Sequence, residues 1–310
     1  MAVTDLDLFR HNFGPAGKHP RIALVAGLAT DEFNGTFVLA RLVDYLRGVA
    51  EGTYPRQKLR HRALIVLSSP SRDGMQTQRC IDDIVESTRR AYYRVAISAS
   101  SSTLEELPQA CLYACSDDER ASAFLFGLPA IIEHPTHTLA DGALVEAWQS
   151  LGGENFFLHA GQLGYLQPQH CERLFRALIS FLDRTGTVEG IELSEEEADT
   201  HHFGVHQTLS VLAEASGFFV SRLEVGRWVQ AGESVGLIYD RLRGMLTTEI
   251  KAPVNGLVSA LRRHPLLLAG DLVARIQTRD PLPVASREKL LGFDHRRTGD
   301  ALARGQPVSR

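Results

Sequence analysis

Residues 21–35 read RIALVAGLATDEFNG. The first seven form an apolar run closed by Gly27, the pattern of a strand buried on both faces of a sheet. A short loop follows, and apolar residues then return at helical spacing as Val38, Leu39, Leu42, Val43 and Leu46. Strand, loop and helix in this order open an α/β domain.

The alternation continues outward from this unit. Residues 63–67 (ALIVL), 109–115 (QACLYAC), 130–133 (AIIE) and 155–159 (NFFLH) read as strands. Residues 116–126, 143–151 and 168–184 read as helices, the first stopped by Gly127 and Pro129 and the second by Gly152 and Gly153. The charged stretch 75–94 reads as helical or irregular. The pattern predicts an α/β domain with a largely parallel sheet over residues 1–190.

It changes after the acidic linker at 188–200 (VEGIELSEEEADT). Residues 191–280 form a small all-β lobe of short alternating strands between turn signals. Three phrases, VGRWVQAGESV (225–235), IKAPVNGLV (250–258) and PLLLAGDL (265–272), resemble the barrel-sandwich domains of lipoyl and biotinyl carriers. A carrier needs a lysine at the tip of the central turn. Here the tip is Val254, Asn255 and Gly256, with Lys251 earlier in the strand, so the lobe reads as structural. Gly256 is expected to supply a positive φ in that turn. Residues 281–310 read as a partly disordered tail.

Composition narrows the function. A length of 310 residues suits two domains. A net charge of −4 leaves no basic footprint for nucleic acid. No apolar run reaches the roughly 18–20 residues that span a bilayer, and residues 1–18 are polar and carry acids, unlike a signal peptide. Cys80, Cys111, Cys115 and Cys171 form no CxxC pair and read as free thiols of a cytoplasmic protein.

The segment 27–35 (GLATDEFNG) resembles the GxHGDExNG loop of the succinylglutamate desuccinylase/aspartoacylase family, and an α/β domain followed by a barrel-sandwich lobe is that family's layout. The resemblance spans about residues 20–280. It implies a zinc-carboxypeptidase-like mixed, largely parallel sheet with flanking helices. It also implies zinc as cofactor and hydrolysis of a linear amide in a small N-acyl amino acid or peptide-like substrate.

Carried over residue by residue, Glu32 takes the position of a zinc-binding glutamate, while Ala29 stands in the histidine position and has no donor atom. Glu32 also reads as an acid capping the helix that follows. Arg79, with Asp82 after it, resembles the first substrate-binding arginine, but the family's DLNR phrase is missing. Tyr113 is assigned the place of the third ligand. His159 stands where the family has its general-base glutamate. Only one metal ligand thus keeps its type.

Two main readings follow, beside a third in which the β lobe and the basic tail around Arg296, Arg297 and Arg304 bind a partner. One is a non-catalytic subunit that binds a ligand, a protein partner or a second copy of itself. The other is an active hydrolase whose metal is re-sited on His134, His137, Asp141 and His159.

Overall fold

The computed structural model describes residues 7–17, 19–29, 31–69, 78–99, 101–135, 142–192 and 199–282. In chain order the elements begin with β1 (Asp7–Phe13), β2 (Ile22–Ala26), α1 (Phe33–Glu51), β3 (Lys58–Leu59) and β4 (Ala63–Ser69). Next come α2 (Gln78–Thr88), β5 (Tyr93–Ser98), β6 (Leu104–Tyr113), α3 (Asp117–Ala123), β7 (Ala130–His134) and α4 (Gly142–Gln149). β8 (Glu154–Gly161), α5 (Pro168–Arg184) and β9 (Val188–Glu189) complete the first part. The lobe holds β10 (His201–Phe203), β11 (Thr208–Leu212), β12 (Gly217–Ser221), β13 (Trp228–Val229), β14 (Ser234–Tyr239), β15 (Leu246–Lys251), β16 (Gly256–Arg262), β17 (Leu266–Leu267) and β18 (Leu272–Gln277).

The main sheet runs β1-β4-β2-β5-β8-β6-β16-β18-β11, with β7, β10 and β13 attached beside this path. β4, β2, β5 and β8 are parallel to one another, so their carboxyl ends share one edge. β6 is antiparallel to β8 and therefore begins at that edge. Strand alternation divides the core. Ile22, Leu24, Ile97 and Leu158 meet Leu39, Leu42 and Leu178 of α1 and α5 on one face. Val25, Val66, Ala96 and Phe157 meet Ile84, Leu144 and Trp148 of α2 and α4 on the other.

The boundary near residue 190 falls between β9 and β10, but the sheet crosses it. Ala260, Leu261 and Arg262 of β16 pair antiparallel with Glu106, Glu105 and Leu104 of β6. The lobe still has its own core, including Phe219, Val235, Ile238, Val258 and Ile276. It lies between the end of the main sheet and a four-stranded sheet ordered β15-β14-β12-β17.

Two expectations change. The stretch 75–94 is not wholly helical or irregular: β5 starts within it at Tyr93. Its Arg94 is fully buried, with Nε donating to Asn155 Oδ1 at 2.8 Å and Nη1 to the Ala91 carbonyl at 2.7 Å, so a charge sits in a central strand without being left unpaired. Gly256 is not among the positive-φ glycines. It is needed for close approach instead, because a Cβ there would lie 2.3 Å from the Gln277 carbonyl oxygen. No helix among the described residues is long and apolar enough to cross a membrane. The tail beyond residue 282 lies outside the described residues.

Candidate functional site

The loop between β2 and α1 is built around Glu32. This residue is the N-cap of α1 and is 3% exposed. Its Oε1 accepts from the Gly35 N–H at 2.6 Å and its Oε2 from the Gly27 N–H at 3.0 Å. Both oxygens thereby satisfy backbone donors that the helix start and the strand end leave open. Burial pushes the Glu32 carboxyl above the usual glutamate value, against the pull of those N–H groups.

Asn34 pins the loop after β8. Its Oδ1 accepts from the Gln167 N–H at 2.8 Å, and its Nδ2 donates to the Ala160 carbonyl and to Gln167 Oε1, both at 3.3 Å. Gly35 makes room for the cap, since a Cβ there would lie 2.9 Å from both Glu32 Oε1 and Ile97 Cγ2. Gly35→Ala is therefore expected to cost about 1–3 kcal/mol by crowding a packed site. Urea unfolding of the variant checks this, and an unchanged midpoint would count against the crowding.

On β8, His159 is 3% exposed and its Nδ1 lies 3.6 Å from Glu106 Oε2. Glu106 Oε1 in turn lies 3.4 Å from Arg275 Nη1 of β18. The neighbouring Glu105 makes a parallel bridge. Its Oε1 is 2.7 Å from His170 Nε2 and accepts from Gln167 Nε2 at 3.0 Å, while its Oε2 pairs with Arg263. Arg263 also pairs with Glu224. Burial pushes the Glu105 carboxyl up, but the hydrogen bonds from His170 and Arg263 outweigh it and hold it below the usual value. Two consecutive acids of β6 thus each join a histidine of the α/β part to an arginine of the lobe. Gln109, the register partner of His159, keeps a buried Oε1 that meets no donor among the described residues.

The predicted site residues do not converge. Glu32 turns toward the α1 side beside Ile97, whereas alternation puts His159 on the Phe157 side. Tyr113 is corrected outright as a site residue. Cys111 pairs with Phe157, so Tyr113 lies further toward the amino end of β8, with its ring edge-on to Phe157 at 5.4 Å. It sits at the opposite edge, with its ring stacked on His134 at 5.3 Å between centroids. His134 therefore cannot share an ion with His159 as the re-sited cluster requires. His137, Asp141 and the Asp73–Gly74 pair lie outside the described residues. Arg79 is exposed in the first turn of α2.

Glu105, Glu106, Gln109, His170, Arg263 and Arg275 were not anticipated from sequence. The available signal was a pair of adjacent acids at 105–106 directly before an apolar strand.

Neither a protein-family model nor a curated sequence matches the chain. Solved structures do. A succinylglutamate desuccinylase/aspartoacylase from Rhodobacter sphaeroides superposes with a TM-score of 0.65 at 19% identity, covering 84% of this chain and 86% of that one. The product-bound ectoine utilization protein EutE (DoeB) from Ruegeria pomeroyi gives 0.66 at 19% identity over the same shares. An aspartoacylase family protein from Mesorhizobium loti gives 0.64 at 18% identity and covers 90% of both chains. This is the desuccinylase/aspartoacylase fold.

Within the desuccinylase/aspartoacylase fold, the strand ending beside both the Gly27 loop and His159 is β5, which closes with Ile97 and Ser98 and is followed by Ala99. Among the described residues the end of β5 carries no imidazole of its own, the Ala29 side chain offers no donor, and both oxygens of Glu32 are engaged by backbone. No group of three His, Cys, Asp or Glu side chains among the described residues is placed to hold a metal ion. The donor set does not fit a zinc ion, which takes about four ligands at 2.0–2.3 Å.

Proposed function

We propose that this chain is a non-hydrolytic member of the succinylglutamate desuccinylase/aspartoacylase family that works without zinc and holds a small N-acyl amino acid or peptide-like ligand at the carboxyl edge of its sheet. The observation that carries the reading is the use of Glu32. The one ligand type retained from the family loop spends both oxygens on the Gly27 and Gly35 N–H groups. The DExNG phrase then persists as a structural staple: Glu32 caps, Asn34 ties the loop after β8, and Gly35 clears the space.

Metal analysis of full-length protein purified without chelator tests the first half. The expected result is zinc far below one per chain and a melting temperature indifferent to chelator. About one tightly held zinc per chain, lost on His159→Ala or Glu32→Ala, would overturn the reading. Calorimetry and hydrolysis assays with N-acetylaspartate and N-succinylglutamate test the second half, with binding and no turnover expected.

One observation favours a second reading. His159 has the Glu106 carboxylate behind its Nδ1, the arrangement that orients an imidazole as a general base. Hydrolysis that survives chelator and vanishes in His159→Gln would establish a metal-independent hydrolase instead.

A further inference from the structure

We infer that the outer face of the four-stranded sheet in the lobe is the surface on which a second copy of this chain docks. The inner face carries Phe219, Ile238, Ile250 and Leu267, all in the lobe core. Alternation sends Phe218, Val220, Leu237 and Tyr239 to the other side. Register then sets Leu266, Phe218, Tyr239 and Leu246 in one row across β17, β12, β14 and β15. Phe218 is 43% exposed, Val220 51% and Leu246 56%, while Leu237 between them is already covered at 8%.

The row ends at the β14–β15 hairpin, whose tip adds Leu242 at 96% and Met245 at 65%. That tip is firmly built. Asp240 Oδ1 accepts from the Leu242 N–H at 3.0 Å and the Arg243 N–H at 2.7 Å, and Gly244 turns the chain at φ 66°. Leu242 is held out into solvent by the turn.

A sheet with apolar residues on both faces needs a partner for each. The exposed parts of Phe218, Val220, Leu242, Met245 and Leu246 amount to roughly three whole side chains, on the order of 500 Å². That lies at the upper end for the largest apolar patch of a lone monomer, about 300–600 Å². Two such faces in contact bury about twice as much, and with the adjoining backbone and polar rim they approach the standard interface of ~1,600 Å². Sheet faces stack well on their own kind, at about 10 Å and with strands about 30° apart.

The rim carries both signs, with Arg241 and Arg243 beside Asp240, and Arg222 and Lys251 beside Glu249. A two-fold copy therefore meets opposite charges as well as like ones, as a self-complementary contact requires. An anionic bilayer would favour a rim of one sign.

Sedimentation velocity on the full chain over a concentration series is the test. The expected species has twice the 34.2 kDa chain mass. Leu242→Arg with Val220→Lys should weaken association at least about 100-fold while the chain stays folded and melts cooperatively, with the concentration dependence of its melting temperature lost. A wild type that stays monomeric at about 100 μM overturns the inference, and so does a dimer indifferent to both substitutions. Binding to phosphatidylserine vesicles, lost in the same variant without any dimer, overturns it in favour of a lipid surface. Should the double variant unfold, two further measurements decide. Leu242→Arg alone alters only the hairpin tip, and hydrogen exchange should show concentration-dependent protection at 218–220 and 237–246. Protection confined to other segments would sink the proposal.

Discussion

Replacing Glu32 with alanine is expected to remove about 2–4 kcal/mol of folding stability, with or without zinc in the buffer. The loss arises because the Gly27 and Gly35 N–H groups, which the carboxylate accepts at 3.0 and 2.6 Å, are left in a buried loop with no acceptor. Relief of the buried charge offsets part of it. Glu32→Gln retains one acceptor and should cost about 1 kcal/mol. Urea titration separates a cap from a metal ligand, since a pure ligand would leave the metal-free protein as stable as before.

The pH dependence has a definite sign. Burial raises the folded carboxyl above the ordinary value of 4.5, so the unfolded chain releases its proton first. The Glu32 contribution is therefore largest below that value, declines as pH rises toward the folded pKa, and is constant beyond it. Glu32→Gln should lack this slope.

Glu105→Ala is expected to cost a similar amount, about 2–4 kcal/mol, by leaving Arg263, His170 and Gln167 without their shared acceptor in a largely buried junction. Its pH signature runs the other way. The folded carboxyl lies below the ordinary value of 4.5, so its stabilisation is present above that value and is lost as pH falls through the folded pKa. Glu105→Gln should flatten the acid limb that Glu32→Gln leaves intact. Melting temperatures of both variants between pH 3 and 7 (a window set by ordinary carboxylate titration, about 4) check the contrast. Parallel profiles would contradict it.

The fold was legible where burial alone shapes the sequence. β2 and the first five residues of β4 are continuous apolar runs, β8 is marked by its central Phe156, Phe157 and Leu158, and α5 carries its apolar residues at helical spacing. Strands were missed where a buried polar residue is answered from far along the chain. Arg94 breaks the apolar run of β5, and its partner Asn155 lies 61 residues away. Glu105 and Glu106 mask the first half of β6, and their arginines come 158 and 169 residues later.

Missing β5 moved the third-ligand position onto Tyr113, which the antiparallel course of β6 carries to the far edge of the sheet. The candidate site was legible as the loop after β2 and the end of β8. The side chosen by each residue was not, because Glu32 is turned by its capping role rather than by strand alternation, and β5, beside which it packs, carries no continuous apolar run.

The pairing of β16 with β6 also bears on how the chain is made. Residues 104–106 leave the ribosome roughly 150 residues before their partners at 260–262. At about 5–20 residues per second, the first half of β6 waits on the order of 10–30 s with an open strand edge in a nascent chain. Newly made protein is therefore most vulnerable to aggregation before its lobe emerges, and chaperone dependence should fall on this interval.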